Sequence, residues 1–161
     1  MAPDGLDRAT VSDLAAVLRE HHRFWGDRDL RALHNPILVH EFGDTALVHR
    51  AADGTIDGYL FGFVTPAGDG YVHLVAVRDD ARGTGLGHRL YAAFASLTAA
   101  RGAQSLKAIT SVANAGSIAF HRALGFSAET VPDYAGPGVP RVVFRRDIHL
   151  PPPPPSPRFP S

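Results

Sequence analysis

The most informative part of the sequence is Val75-Ala-Val-Arg-Asp-Asp-Ala-Arg-Gly-Thr-Gly-Leu-Gly-His-Arg-Leu90, where an apolar run ends in a basic, glycine-rich turn. Glycines stand at alternate positions of this turn, Gly83, Gly85 and Gly87. Glycine lets the backbone approach a ligand closely, and the N-terminus of a following helix adds the positive end of its dipole. The pattern therefore predicts a strand, an anion-binding loop and a helix, with a phosphate or pyrophosphate as the ligand.

Two common phosphate-binding motifs do not fit this loop. A dinucleotide-binding G-x-G-x-x-G motif that starts at Gly83 would need its third glycine where His88 stands. A Walker A loop would need a Gly-Lys-Ser/Thr ending, which is not present. The pattern that remains is R-x-x-G-x-G, in Arg82-Gly-Thr-Gly-Leu-Gly87.

Length and composition indicate a single globular domain. The chain has 161 residues, of which 45% are hydrophobic and 20% charged, which suits one domain with a good core. With 16 basic and 16 acidic residues, nothing favours a nucleic acid partner. No cysteine is present, which excludes disulfides and an acyl-cysteine intermediate. We expect one domain over residues 1–149 and a disordered proline-rich tail over residues 150–161.

The N-terminus has neither the basic nor the apolar region of a signal peptide, and no apolar run reaches membrane-spanning length. A cytoplasmic location with no membrane partner is therefore expected. Nine histidines invite a metal site, but their spacings match no zinc pattern, so no metal is expected.

Hydrophobic periodicity and turn residues predict alternating helices and strands. Helices are expected over about Ser12 to Trp25, Asp27 to His34, Pro36 to Phe42, Leu86 to Arg101 and Ala115 to Leu124. Strands are expected over about Leu6 to Ala9, Thr45 to Ala51, Ile56 to Thr65, Tyr71 to Val77, Ser105 to Thr110, Phe126 to Val131 and Val139 to Arg146.

A second motif follows the glycine loop, Asn114-Ala-Gly-Ser-Ile-Ala-Phe-His-Arg-Ala-Leu-Gly-Phe126. On a helix with about 100° per residue, Asn114, Ser117 and His121 fall on one polar stripe. Phe120 is expected beside this stripe, facing the core. A polar stripe that points inward favours a binding site.

Together and in this order, the two motifs resemble those of the GCN5-related N-acetyltransferase (GNAT) superfamily, over about Leu6 to Ile148. The resemblance implies an α+β fold, α/β by some schemes. A mixed central sheet of about six to seven strands, with antiparallel N-terminal strands, would be flanked by about four helices. It also implies that acyl-CoA binds in a splay between the two central strands.

The implied function is an acetyl-CoA-dependent N-acetyltransferase that acts directly on a primary amine of a small molecule or peptide. A non-catalytic acyl-CoA-binding sensor module that retains the loop is the alternative, and a homodimer is left open. The expected cofactor-binding residues are Val75, Ala76, Val77, Arg82, Gly83, Thr84, Gly85, Leu86, Gly87, His88, Asn114, Ser117 and His121.

Two histidines stand where many relatives carry catalytic residues. By resemblance, His121 replaces a tyrosine that protonates the leaving thiolate, and His73 replaces a glutamate base. A histidine with its ordinary pKa near 6.5 can deliver a proton to a thiolate, but it is only partly charged at neutral pH unless its surroundings raise the pKa. Two other interpretations stay open: His121 as a helix-surface residue, and His73 as a strand residue satisfied by a backbone carbonyl.

The acceptor amine is expected between the first helix, the strand after the hairpin and the last loop. The substrate-binding residues expected there are His22, Trp25, Tyr59 and Tyr134. Aromatic residues at such positions also occur as ordinary core.

Overall fold

The structure is a computed structural model that describes residues 4–149. The proline-rich tail expected at residues 150–161 lies outside this range. None of the helices described is both long enough and apolar enough to cross a membrane.

Five α-helices and seven β-strands make up the fold in these residues. The helices are α1 Val11–Arg19, α2 His21–Trp25, α3 Pro36–Phe42, α4 Leu86–Ala99 and α5 Ala115–Ala123. The strands are β1 Leu6–Arg8, β2 Leu47–Arg50, β3 Ile56–Val64, β4 Asp69–Val77, β5 Ser105–Thr110, β6 Ser127–Val131 and β7 Arg141–Asp147. Short 3-10 turns occur at Arg31–Leu33, Gly43–Thr45 and Asp79–Ala81.

The strands form one mixed sheet in the order β1-β2-β3-β4-β5-β7-β6. Every neighbouring pair is antiparallel except β4 and β5, which are parallel. The predicted α+β fold, with antiparallel N-terminal strands, is confirmed. The pairing of β4 with β5 ends where Val72 faces Ala108, although β4 continues to Val77. The two central strands therefore separate beyond Val72.

Helices cover the sheet unequally on its two faces. Helix α4 packs Leu90 and Phe94 on one face, in a cluster that includes Leu60 and Phe144. A Cβ atom on Gly62 would lie 2.5 Å from the ring of Phe94, so only glycine allows α4 to approach β3 this closely. On the other face, α1, α2 and α3 pack over β2, β3 and β4 in a second cluster. The two clusters place the sheet in the middle of the domain.

Two helix predictions in the N-terminal part were wrong in detail. The helix expected from Ser12 to Trp25 is interrupted at Glu20, where φ is −111° and ψ is 25°. The helix expected from Asp27 to His34 is only the turn Arg31–Leu33. Side-chain hydrogen bonds explain the second difference, because the backbone of Leu30 bonds to the ring nitrogens of His21 and His34.

Candidate active site

A cleft of about 900 Å³ lies where β4 and β5 separate. The second half of β4 forms one side of it, and the end of β5 faces it. The glycine loop and the first turns of α4 line the cleft together with α5, whereas the end of α2 and the segment after it line it from the other face of the sheet. Both sequence motifs therefore border a single cavity.

The glycine loop has the geometry of an anion site. Gly83 and Gly85 have φ angles of 77° and 83°, which L side chains rarely adopt. Gly85 precedes α4 and provides no side-chain cap, so the first N–H groups of this 14-residue helix have no side-chain acceptor. The basic residues Arg82 and His88 also line the cleft. These features fit a phosphate or pyrophosphate group.

Two side chains of the loop hold the loop itself. Arg82 donates to the carbonyl oxygens of Val77, at 3.3 Å, and Phe24, at 3.0 Å, which ties the loop to α2. The Thr84 hydroxyl donates to the carbonyl oxygen of Ala81 at 2.6 Å. Of the loop residues expected at the cofactor, Thr84 is the one that does not line the cleft.

His73 is the extra residue of a β-bulge in β4, because Leu74 faces Phe61 while Val72 faces Gly62. It is half-buried and lines the cleft. Its Nε2 lies 3.0 Å from the carbonyl oxygen of Leu33. A carbonyl only accepts, so Nε2 carries the hydrogen and Nδ1 of the neutral ring keeps its lone pair. The ring thus has one nitrogen fixed by the protein and one that is able to accept a proton.

His121 is buried, with 4% of its surface exposed. Its Nδ1 donates to the carbonyl oxygen of Ser117 at 2.8 Å, and its Nε2 accepts from the Tyr91 hydroxyl at 2.6 Å. The ring stacks on Phe144 at 4.1 Å. Burial lowers the pKa of His121 to about 4, against a smaller opposite effect of the Ser117 bond, so the imidazole is neutral at neutral pH.

The expected polar stripe of α5 does line the cleft, with His121 among its residues, but two side chains of this helix differ from the sequence-based expectations. The helix-surface interpretation of His121 is wrong, and Phe120, expected to face the core, is 36% exposed and lines the cleft. The His121 ring lies in the core because it packs against Tyr91 and Phe144 and both of its nitrogens form hydrogen bonds there. Phe120 instead covers Gly87, where a Cβ atom would come within 3.0 Å of its ring.

Asn114, at the N-terminal end of α5, caps this helix and also lines the cleft. Asn114 caps the helix, because its Oδ1 accepts from the Ser117 N–H at 3.2 Å, and its Nδ2 donates to the Thr110 hydroxyl at 3.0 Å. Asn114 and Ser117 both line the cleft, as do Val75, Ala76 and Val77 of β4. These expected cofactor contacts therefore lie together.

A buried hydrogen-bond chain supports the wall formed by α2 and the segment after it. Trp25 Nε1 donates to the Tyr59 hydroxyl at 2.6 Å, and that hydroxyl donates to His34 Nε2 at 2.8 Å. His34 Nδ1 in turn donates to the carbonyl oxygen of Leu30 at 2.7 Å. Burial raises the pKa of Tyr59 and lowers the pKa of His34, so both stay neutral near pH 7.

The expected acceptor residues are spread over different environments. Trp25 lines the cleft, whereas Tyr59 is 0% exposed and reaches the cleft only through its bond to Trp25. His22 is exposed on α2, and Tyr134 is exposed on the loop between β6 and β7. Neither of these two lines the cleft.

Sequence reasoning missed several residues of the cleft, namely Arg28, Leu30, Leu33, Tyr91 and Arg141. Tyr91 could have been predicted to be buried, because it precedes Phe94 by three residues and so lies on the same side of α4. Arg28, Leu30 and Leu33 could not be predicted in this way, since the segment after α2 has little regular structure and shows no hydrophobic periodicity. Within residues 4–149, no three His, Asp or Glu side chains are grouped as metal ligands.

Comparisons with known proteins agree with this geometry. The model of the Acetyltransferase (GNAT) family matches residues 12–126. Ard1 from Thermoplasma volcanium is 22% identical with a TM-score of 0.72, over 88% of this chain and 95% of that one. The ribosomal-protein-S18-alanine N-acetyltransferase from Escherichia coli is 18% identical with a TM-score of 0.69, over 90% of this chain and 94% of that one.

Chaetomium thermophilum Naa20, in complex with a bisubstrate analogue, is 19% identical with a TM-score of 0.70, over 88% of this chain and 85% of that one. At these identities the structural likeness establishes the fold. No curated protein is significantly similar to the chain in sequence.

Proposed function

The chain belongs to the acetyltransferase (GNAT) family, and from this we propose that it is an acetyl-CoA-dependent N-acetyltransferase acting directly on a primary amine of a small molecule or peptide. The observation that carries the proposal is the separation of β4 from β5 beside the glycine loop. The resulting cleft of about 900 Å³ lies within the usual range for cofactor sites.

In this proposal the glycine loop, Arg82 to His88, holds the pyrophosphate through backbone N–H groups and the N-terminus of α4. Val75, Ala76 and Val77 line the path of the pantetheine arm on one side, and Asn114 and Ser117 line it on the other. Acetyl-CoA, when bound, supplies an acetyl thioester whose C–S bond breaks as the amine nitrogen forms a C–N bond.

His73 is proposed as the base. An ammonium group has no lone pair with which to attack, so it must first lose a proton. Nδ1 of His73 accepts this proton, directly or through a water molecule, while the Leu33 carbonyl holds the ring through Nε2. The bulge supports this role, because it moves the ring out of the regular alternation of β4 at the edge of the cleft.

His121 has a different environment, which supports a positioning role instead of proton donation. Its ring is neutral at neutral pH, and both of its nitrogens are bonded within the protein. We propose that it fixes α5 against α4 through Tyr91, which keeps Ser117 and Phe120 at the cleft. Donation to a thiolate would require one of these bonds to break.

The retained cleft and the neutral ring of His121 favour a second candidate function, a non-catalytic acyl-CoA sensor. A cleft that keeps its anion loop but has no charged acid at the position of His121 would bind the cofactor without turnover. His73 distinguishes the two functions, because a sensor does not need a proton acceptor at the edge of the cleft.

The test is an acceptor screen in which release of free thiol from acetyl-CoA is measured. The enzyme proposal predicts release that depends on both the protein and the acceptor. Cofactor binding by calorimetry, without acceptor-dependent thiol release over a broad panel of amines, would leave the sensor as the function.

A further inference from the structure

The cleft passes through the sheet, so it has two mouths. Leu106 and Ala108 of β5 pack in the cluster of α4, which turns Lys107 and Ile109 to the opposite face. One mouth, on the side of α4 and α5, is bordered by the glycine loop and Phe120. The other, on the side of α2, is bordered by residues such as Trp25 and Leu33. If the cofactor arm fills the first mouth, the acceptor enters through the second.

Charge is distributed unevenly around this cavity. None of the residues that line the cleft within residues 4–149 is an aspartate or a glutamate, although the chain carries 16 acidic residues. Three arginines do line it, Arg28, Arg82 and Arg141. Arg82 belongs to the glycine loop, but Arg28 follows α2 and Arg141 begins β7. The last two therefore do not belong to the glycine loop.

A third cation stands on the same face of the sheet. Lys107 is the only lysine in the sequence, against fifteen arginines. Val142 and Phe144 of β7 pack in the cluster of α4, which places Arg141 on the face that carries Lys107. Lys107 precedes Ile109, a residue of the cleft, by two positions, or about 7 Å along the strand.

These three cations have no carboxylate partner in the described part of the chain. Six other arginines there form ion pairs, whereas the Arg28 guanidinium lies 5.8 Å from the centre of the Trp25 ring and Lys107 Nζ lies 6.0 Å from that of Tyr134. Arg141 donates to the carbonyl oxygen of Pro140 at 2.9 Å.

The strand acids that share this face, Asp69, Glu129 and Asp147, form no ion pair with these three cations within residues 4–149, and Asp147 accepts from the His149 N–H at 2.8 Å. Asp69 of β4 is mostly buried and accepts from the Ser105 hydroxyl at 2.5 Å and from Arg145 at 3.4 Å. Glu129 of the edge strand β6 is exposed and forms no ion pair among the residues that the structure describes.

We infer that the acceptor carries a carboxylate in addition to its amine, and that Arg28 and Arg141 bind this carboxylate at the mouth beside Trp25. Lys107, outside the cleft on the same face of the sheet, adds positive charge to this side. The inference rests on the proposed acetyltransferase function and names its substrate class. Guanidinium groups bind carboxylates with paired, charge-assisted hydrogen bonds. The absence of acids at the cleft also makes it unfavourable for polycationic acceptors, because like charges repel.

The experiment compares matched acceptors that differ only in the carboxylate, with kcat/KM measured by thiol release. Leucine against 3-methylbutylamine tests a free amino acid. The amidated peptides Ala-Glu-Ala and Ala-Gln-Ala test an acidic peptide. In at least one pair, the carboxylate member should react about tenfold more efficiently or better, as expected for a charge-assisted hydrogen bond. The pair that shows the preference identifies the source of the carboxylate.

The variants Arg28→Gln and Arg141→Gln should bring the ratio of the two kcat/KM values close to one, mainly by raising KM for the carboxylate member. Lys107→Gln should have a smaller effect in the same direction. Arg19→Gln, on the exposed side of α1, removes an equal charge away from the cleft and should keep the preference. A ratio near or below one in both pairs, together with thiol release from the neutral amines, would overturn the inference alone. No release with any acceptor would overturn the proposed function together with the inference.

Binding of the acetylated products provides a second readout. Trp25 is the only tryptophan of the chain and lines the cleft, so its fluorescence reports occupancy directly. N-acetylleucine should bind about tenfold more tightly than N-acetyl-3-methylbutylamine if the amino acid pair shows the preference, and this difference should disappear in Arg141→Gln. Equal affinities for the two products in that case would count against the inference.

Discussion

Acid should destabilise the protein through His121, whose ring is buried among Tyr91, Phe126 and Phe144. The folded protein keeps this imidazole neutral down to a pKa of about 4, whereas the unfolded chain protonates it near 6.5. Between these two values the unfolded state binds more protons, so the free energy of unfolding falls as the pH falls. Above pH 6.5 the contribution is fully present.

The magnitude follows from the two pKa values. Since a difference of one in pKa corresponds to about 1.4 kcal/mol, lowering the pH from 6.5 to 4 should remove about 3 kcal/mol of stability through His121. This is a large part of the total for a domain of this size. Burial also lowers the pKa values of His21 and His34, which adds to the loss in the same direction.

A double variant isolates the contribution of His121 to the pH dependence of stability. His121→Phe alone would leave the buried Tyr91 hydroxyl without a partner, so the matched double variant combines it with Tyr91→Phe. Denaturant unfolding, followed by Trp25 fluorescence at neutral pH and at about pH 4.5, gives the stability of each protein. The wild type should lose more stability than the double variant. An equal loss in both proteins would refute the assignment of His121 as a neutral, buried ring.

Three further predictions concern the cleft. His73→Gln should lower kcat by about a hundredfold, with acetyl-CoA affinity by calorimetry unchanged, and a loss under about threefold would remove His73 as the base. His40→Gln, on the exposed side of α3, is its control. Tyr59→Phe leaves Trp25 Nε1 and His34 Nε2 without their hydrogen-bond partner and should cost about 2 kcal/mol in denaturant unfolding. Tyr71→Phe, which removes a hydroxyl that forms no hydrogen bond within residues 4–149, should cost little. Polycationic amines should be poor acceptors in the thiol-release assay, and efficient turnover of one would contradict the charge argument.

The sequence predicted those parts of the fold in which local chemistry and periodicity agree. The alternating glycines identified the loop and the start of α4, because few other residues adopt the positive φ angles of Gly83 and Gly85. The mixed sheet and the separation of its central strands came from the resemblance of the two motifs to a family, since pairing between β4 and β5 involves residues far apart in the chain.

The parts that the sequence did not predict depend on tertiary contacts. The exposure of Phe120 and the deep burial of His121 were not predicted, since the partners that bury His121, Tyr91 and Phe144, come from other elements. Tyr59 was expected at the acceptor but lies beneath Trp25, because strand alternation does not tell which side chain covers it. No sequence pattern indicated that Arg28 lines the cleft, since it lies in a segment without regular structure.

Titration of the folded protein with acetyl-CoA tests the central claim most directly, namely that the cleft between β4 and β5 is an acyl-CoA site. Calorimetry should show one saturable site in the wild type. Binding should be lost in Gly85→Val, which forces a β-branched residue to a φ of 83° in the loop, while circular dichroism shows a folded protein. No heat of binding to the folded wild type, or equal affinity in the variant, would contradict the account.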